Sequence, residues 1–384
     1  MVYDKPEWLR LEHGHASAYV LFEHAGRERG WFCLRPDESV WMITTERGLA
    51  CIPKNCSAAL FYRPFSATGP APGRFAGKCF LYNVRTDDRQ ELPPFVVYWC
   101  RPAWSADRKR FAFVEAIPTT PGHDVPVMTY YDLEAGETVR VSRLFDALAT
   151  STVMPCDLQW TADGEGIRFV WSDQTTLWHV GIVHLLDSAI EVQYDFRMPE
   201  DAWPARLSPD GTQLAYATHP RDGVAQKQSL WILHLPTLLA KPIGEAGHNC
   251  DPLWSPSGRY IAYVGYSDEV KSVCVAEATD RMTRIEIPVN VGDELGQMPP
   301  IRPCWVSDDC LVYGSFEEAT SCINRIYLLD VRAQRTEVLA EVGDGVLSQI
   351  VGLSTGGGGK RGEESGTGSL IDGARVAGAD ERTI

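Results

Sequence analysis

Short apolar runs broken by Gly, Pro, Asp and Ser recur along most of the chain. They include Tyr19 to Phe22, Trp31 to Leu34, Val40 to Thr44, Leu230 to Leu235 and Arg284 to Val289. Brief runs bounded by turn formers predict β-strands, and the 3.6-residue spacing of an amphipathic helix is scarce. The run Tyr260 to Val264 reads as an alternating strand.

The strands repeat. Arg206-Leu-Ser-Pro-Asp-Gly-Thr-Gln-Leu-Ala-Tyr216 returns 47 residues later as Leu253-Trp-Ser-Pro-Ser-Gly-Arg-Tyr-Ile-Ala-Tyr263. Anchored on the Ser before the turn, copies fall at Lys54, Ser105, Thr161, Ser208, Ser255, Val306 and Ser354, spaced 51, 56, 47, 47, 51 and 48 residues. The copy at Lys54 is degenerate, and the one at Val306 is shorter by one residue. Each unit has an apolar strand ending in Trp or Leu, a Pro-Asp-Gly-like turn, and two or three further strands. Repeats of this length built from four short strands predict an all-β, seven-bladed β-propeller of four-stranded blades.

The last copy, Ile350 to Gly357, supplies an inner strand and turn with nothing strand-like after it. The missing strands stand at the other end, from Tyr19 to Thr44, so N-terminal strands are expected to complete the seventh blade. This divides the chain into a lead-in over 1–16, the propeller over 17–357, and a Gly- and Ser-rich tail over 358–384 expected to be disordered.

The Trp-Ser-Pro-x-Gly and Ile-Ala-Tyr elements resemble the TolB-like propeller repeat across roughly 17–357. That repeat is shared by a periplasmic translocation protein, by the propeller domains of prolyl-oligopeptidase-type peptidases and by seven-bladed oligogalacturonate lyases. The resemblance therefore implies a fold more than a function. The lyase family places manganese-binding histidines at the channel-mouth register of its inner strands. This chain has none at those seven positions, so the resemblance does not carry the lyase's metal chemistry with it.

Charge narrows the partners. With 36 Lys and Arg against 51 Asp and Glu, the net charge of −15 repels nucleic acid and anionic membrane surfaces. Met1 to Ala16 has no apolar core of a secretory signal, and no segment is apolar enough to span a membrane. Eleven cysteines without CxxC pairs read as reduced thiols, and a cytoplasmic monomer is expected.

Two local motifs invite chemistry. Gly352-Leu-Ser-Thr-Gly356 matches the nucleophile-elbow pattern, but that motif needs a later histidine, and the last one is His248. Ser354 is read instead as the turn residue of the repeat. His13 and His15, with His24 nearby, share the spacing of one strand face and could ligate a metal, or could belong to an exposed lead-in. No cofactor is predicted, and a divalent metal stays open.

A stronger constellation comes from aligning the inner strands. Four residues before each anchor stand Ala50, Arg101, Asp157, Pro204, Asp251, Arg302 and Ile350. The starts of inner strands converge on one mouth of a propeller's channel, so two Arg and two Asp are expected to meet there. Arg101 and Arg302 could clamp a carboxylate or phosphate, with Asp157 and Asp251 accepting from hydroxyls or amines, or acting as general acid or base. Alternatively, these charges pair with one another and knit neighbouring blades. One position earlier, Cys100, Cys156 and Cys250 read as small apolar fillers rather than a thiolate site. Tyr98, Trp99 and Trp203 near the mouth could stack on a planar ligand or seal gaps between blades.

The segments 64–75 and 118–126 are the longest insertions and are expected to project as loops. The function expected is a binding or scaffolding module for a protein or a small polar ligand at the mouth. The alternative is a lyase, isomerase or cyclase acting on a small anionic or sugar-acid substrate there.

Overall fold

A computed structural model describes residues 9–11, 18–25, 29–37, 39–44, 49–51, 58–62, 79–93, 101–120, 123–144, 154–172, 176–199, 202–218, 229–245, 252–266, 271–278, 284–289, 303–316, 324–343 and 347–354. Among them, seven antiparallel sheets follow one another in chain order.

The first blade runs from its inner strand Leu49–Cys51 through Ala58–Tyr62 and Cys79–Asn83 to Asp88–Leu92. The second holds Ala103–Trp104, Arg110–Thr120, His123–Asp132 and Glu137–Arg143. The third holds Met154–Trp160, Gly166–Ser172, Leu177–His184 and Ile190–Arg197. The fourth holds Ala202–Leu207, Gln213–Thr218, Ser229–His234 and Leu239–Glu245. The fifth holds Leu253–Trp254, Tyr260–Tyr266, Lys271–Glu277 and Arg284–Val289. The sixth holds Cys304–Trp305, Cys310–Phe316, Asn324–Asp330 and Arg335–Val342, with Leu9–Leu11 added along its outer edge. In the seventh, the inner strand Leu347–Ser354 pairs with Ala18–Ala25, which leads to Arg29–Leu34 and Val40–Thr44. Ala18 stands opposite Ser354 and Phe22 opposite Ile350.

The core lies between blades. Each of seven apolar clusters draws on two neighbouring sheets. Ala112 and Val114 pack toward the third blade, while Phe111 and Phe113, alternating with them, pack toward the first. Because successive side chains point to opposite faces, a strand between two neighbours must be apolar on both. Tyr260 to Val264 is accordingly buried throughout, with no polar face. The alternation expected of that strand is corrected for this reason.

Two other expectations change. Residues 118–126 extend a hairpin rather than forming a loop: Pro118 stands opposite Asp124 and Thr120 opposite His123. Pro and Gly signalled a turn, yet only the tip of the hairpin needs one. Within the stretch read as a lead-in, Leu9–Leu11 is a strand paired with Ala340 to Val342. Segments 64–75 and 358–384 and the anchor Lys54 lie outside the described residues. No helix among the described residues is long and apolar enough to cross a membrane.

The repeated turn has its own chemistry. Ser105, Thr161, Ser208 and Ser255 each accept, on the side-chain oxygen, the N–H five residues on, at 2.9 to 3.0 Å. Ser105 and Ser208 also donate to Asp107 and Asp210 at 2.6 Å. Three residues after the anchor the chain turns left-handed, with φ of 74°, 71° and 78° at Gly164, Gly211 and Gly258, and 64° at Arg108. Only glycine adopts this conformation without steric cost.

Two predictions follow from these turns. Arg108→Gly should raise the unfolding free energy by roughly 0.5 kcal/mol, because relief of the left-handed strain outweighs glycine's entropy. A lower denaturant midpoint for the variant would contradict this. Burial alone would raise Asp107 and Asp210, but the Ser hydroxyls and turn N–H groups hold both below the usual carboxylate range. Their stabilisation is therefore complete above that range and is lost as pH falls through the lowered values. Asp107→Asn with Asp210→Asn should flatten the acid limb of the stability profile, and an unchanged limb would contradict the assignment.

Candidate functional site

At the centre of the ring, an indole ties each of several blades to the one before it. Trp160 Nε1 donates to Ala103 O at 2.8 Å, Trp254 Nε1 to Arg206 O at 3.0 Å, and Trp305 Nε1 to Leu253 O at 2.9 Å. In every case the Trp stands one residue before its anchor, and the carbonyl two before the preceding anchor. The repeat thus builds its own link between neighbours.

The fourth blade has Leu207 where the second, third, fifth and sixth have Trp. Its junction with the third blade is made by polar side chains instead. Leu207 N–H donates to Asp157 Oδ2 at 2.8 Å, and Gln159 Nε2 donates to Leu207 O at 3.0 Å and Ser208 O at 2.9 Å. Arg206 Nη1 also donates across the junction, to Cys156 O at 2.8 Å.

This polar junction borders a cavity of about 580 Å³ enclosed by the inner strands and turns of the second to fifth blades. Arg101 and Asp157 line it toward the starts of the inner strands; Arg206, two residues before its anchor, reaches back to Cys156 O, Arg108 and Asp210 line it at the turns, and Arg168 reaches the turn at Gly211. Trp104, Trp160 and Trp254 supply aromatic wall. Gln159 Oε1 is buried without a partner among the described residues.

Asp157 is only partly exposed. Its burial pushes the carboxyl above the usual range, against the pull of the Arg206 guanidinium, the Leu207 and Leu158 N–H groups and the Arg101 charge. Desolvation of an ion this deep outweighs attraction from partners spread over two other blades. A carboxyl held in this way keeps its proton to a higher pH than an ordinary aspartate.

The structure thus brings Arg101 and Asp157 to one cavity. Asp251, Arg302 and Trp99 lie outside the described residues; Trp203 falls on the inner strand Ala202–Leu207, but its side chain lies outside them too. Cys156 is buried in the cluster between the third and fourth blades, as a small filler would be, whereas Cys100 and Cys250 lie outside the described residues. His24 is fully buried, with Nε2 3.2 Å from Gly343 O and its ring edge-on to Phe32, so it packs the seventh blade against the sixth. His13 and His15 lie outside the described residues. Ser354 ends an inner strand opposite Ala18.

Sequence reasoning missed Arg206 and Gln159. Both stand two residues before an anchor, and on a strand that register shares a face with the charged row four before it. Reading that second row would have found them. Arg168, on the second strand of its blade, has no such signal.

The raised Asp157 makes a signed prediction. An unfolded chain ionises this carboxyl first, so the group's contribution to stability is lost as pH rises from about 4 toward its folded value. Asp157→Asn cannot ionise in either state. Its stability relative to the parent should grow as pH rises above about 4, and a difference that shrinks with rising pH in chemical denaturation would contradict the assignment.

No family model matches the chain, and no curated protein matches it in sequence. Its structure is similar to that of a candidate 6-phosphogluconolactonase from Bacteroides fragilis, with a TM-score of 0.54 at 9% identity, over 89% of this chain and 99% of that one. It is also similar to oligogalacturonate lyase from Vibrio parahaemolyticus, with a TM-score of 0.50 at 14% identity, over 84% of each chain. TolB from Acinetobacter baumannii aligns with a TM-score of 0.48 at 16% identity, over 72% of this chain; the chain spans 65% of that TolB. The two likenesses at a TM-score of 0.50 or more extend to the fold alone, and the seven successive antiparallel sheets make the chain a seven-bladed β-propeller.

Proposed function

We propose that this chain is a TolB-like propeller that acts as a binding or scaffolding module, holding a small polar or anionic ligand, or a protein, at the mouth of its central channel. The observation that carries the reading is the cavity of about 580 Å³ into which three successive blades direct Arg101, Asp157 and Arg206. A concave site with a few convergent polar groups is the usual form of a ligand pocket. A guanidinium pair in a chain of net charge −15 favours an anion, since it attracts what the remaining surface repels. Asp251 and Arg302 share the register of Asp157 and Arg101 and would extend the mouth to the fifth and sixth blades. Trp99 and Trp203 would stack on the ligand there.

The pairing of Ala18–Ala25 with Leu347–Ser354 supports a closed ring, because it joins the two ends of the propeller in one sheet. A cytoplasmic monomer fits the acidic surface, and among the described residues no disulfide links the cysteines.

One observation favours catalysis as a second reading. A carboxyl whose pKa is raised by burial, standing beside cationic groups in a cavity, suits general acid chemistry. The reaction would be a lyase, isomerase or cyclase step on a small anionic or sugar-acid substrate.

Native mass spectrometry of the protein as isolated, alongside Arg101→Ala and Asp157→Asn, separates these readings. The binding reading expects a co-purifying or added anion whose affinity falls about tenfold in Arg101→Ala. Equal retention by the parent and both variants would remove the mouth from consideration. Turnover of a sugar acid that disappears in Asp157→Asn, with binding intact, would establish the second reading over the first.

A further inference from the structure

We infer that the cavity reads both ends of an elongated small dianion, with Arg101 and Arg206 at the channel mouth and Arg108 and Arg168 at the turn end. The inference rests on the channel being a ligand site and adds the chemical class of the ligand. Among the described residues, the charged groups lining the cavity are four arginines and two aspartates, in a chain whose overall charge is −15. Both aspartates already accept hydrogen bonds, and Asp157 also lies within the pull of Arg206 and Arg101. Asp157 Oδ2 accepts from Leu207 N–H, and Asp210 accepts from Ser208 and Thr212 within its own turn.

The turn end shows two devices that hold guanidinium groups in place at a cost. Arg108 takes the left-handed position, φ 64°, that the third, fourth and fifth blades give to glycine, and its side chain lines the cavity. Strain of this kind persists where a side chain is needed at the site. Arg168 lies across Gly211, where a Cβ would occupy the space of its guanidinium. The glycine therefore serves the turn and also leaves room for a cation of the third blade.

Arg101 stands before the start of its inner strand and Arg108 in the turn after it, so these two arginines are set apart by the length of that strand. Four residues separate Arg101 from the anchor Ser105, and four separate Asp157 from Thr161, a span of about 13 Å. Long side chains leaning in from each end shorten the gap that a ligand must bridge. A linear dicarboxylate or comparable dianion fits such a site, whereas a compact anion engages only one end.

Calorimetric titration of the intact protein with succinate, adipate, suberate and sebacate, with hexanoate as the single-ended control, tests this. The expected result is an affinity optimum at one chain length, about tenfold above hexanoate. Arg108→Gly should abolish that preference while leaving the protein at least as stable as the parent. Diacid binding without a length optimum, or an optimum that survives in Arg108→Gly, overturns the two-ended site but leaves the mouth intact, provided Arg101→Ala still weakens binding. If no probe binds at millimolar concentration, both fall.

Discussion

A propeller blade cannot bury its faces alone, so everything depends on how each blade is tied to the next where the strands converge. Here the recurrent tie is an indole N–H from one inner strand to a carbonyl of the preceding inner strand, seen at Trp160, Trp254 and Trp305. One such bond contributes about 1 kcal/mol, less than a single large apolar side chain contributes by burial. Its importance is directional. The clusters between blades supply attraction, and the indole bond specifies the height at which neighbouring strands meet.

The third and fourth blades meet differently, and the candidate site follows from that difference. With Leu207 in place of an indole, Asp157, Gln159 and Arg206 make the link through four hydrogen bonds to backbone groups. Charged groups that serve as interblade links cannot be buried as cheaply as an indole, so the junction stays open to a polar cavity. The same side chains thus hold the ring and line its channel. Asp157 makes its link to the next blade through a backbone N–H rather than through an Arg of the charged row, and it also lines the cavity.

Much of the architecture was legible in the sequence because the repeat is written in residues whose conformational roles are strong: Ser and Thr at the anchor, Asp after it, Gly at the left-handed position. The same regularity exposed Arg101 and Asp157 as equivalent positions. Legibility failed where a residue's meaning depends on another blade. Arg206 and Gln159 look like ordinary strand residues until Leu207 is seen to lack an indole. His24, near two other histidines in sequence, is committed to packing against Phe32. Pro118 to Pro126 carries turn formers, yet runs as paired strand to within two residues of the hairpin tip.

The central claim is that Asp157 and Gln159 stand in for the missing indole, and a rescue measurement addresses it directly. Unfolding free energies would be compared for the parent, for Asp157→Ala with Gln159→Ala, and for that pair combined with Leu207→Trp. The account predicts that the pair loses about 2 to 3 kcal/mol, and that Trp at position 207, free to donate to the carbonyl of residue 159, recovers a substantial part of it. A folded triple variant with no recovery, or a pair that loses nothing, would contradict the account.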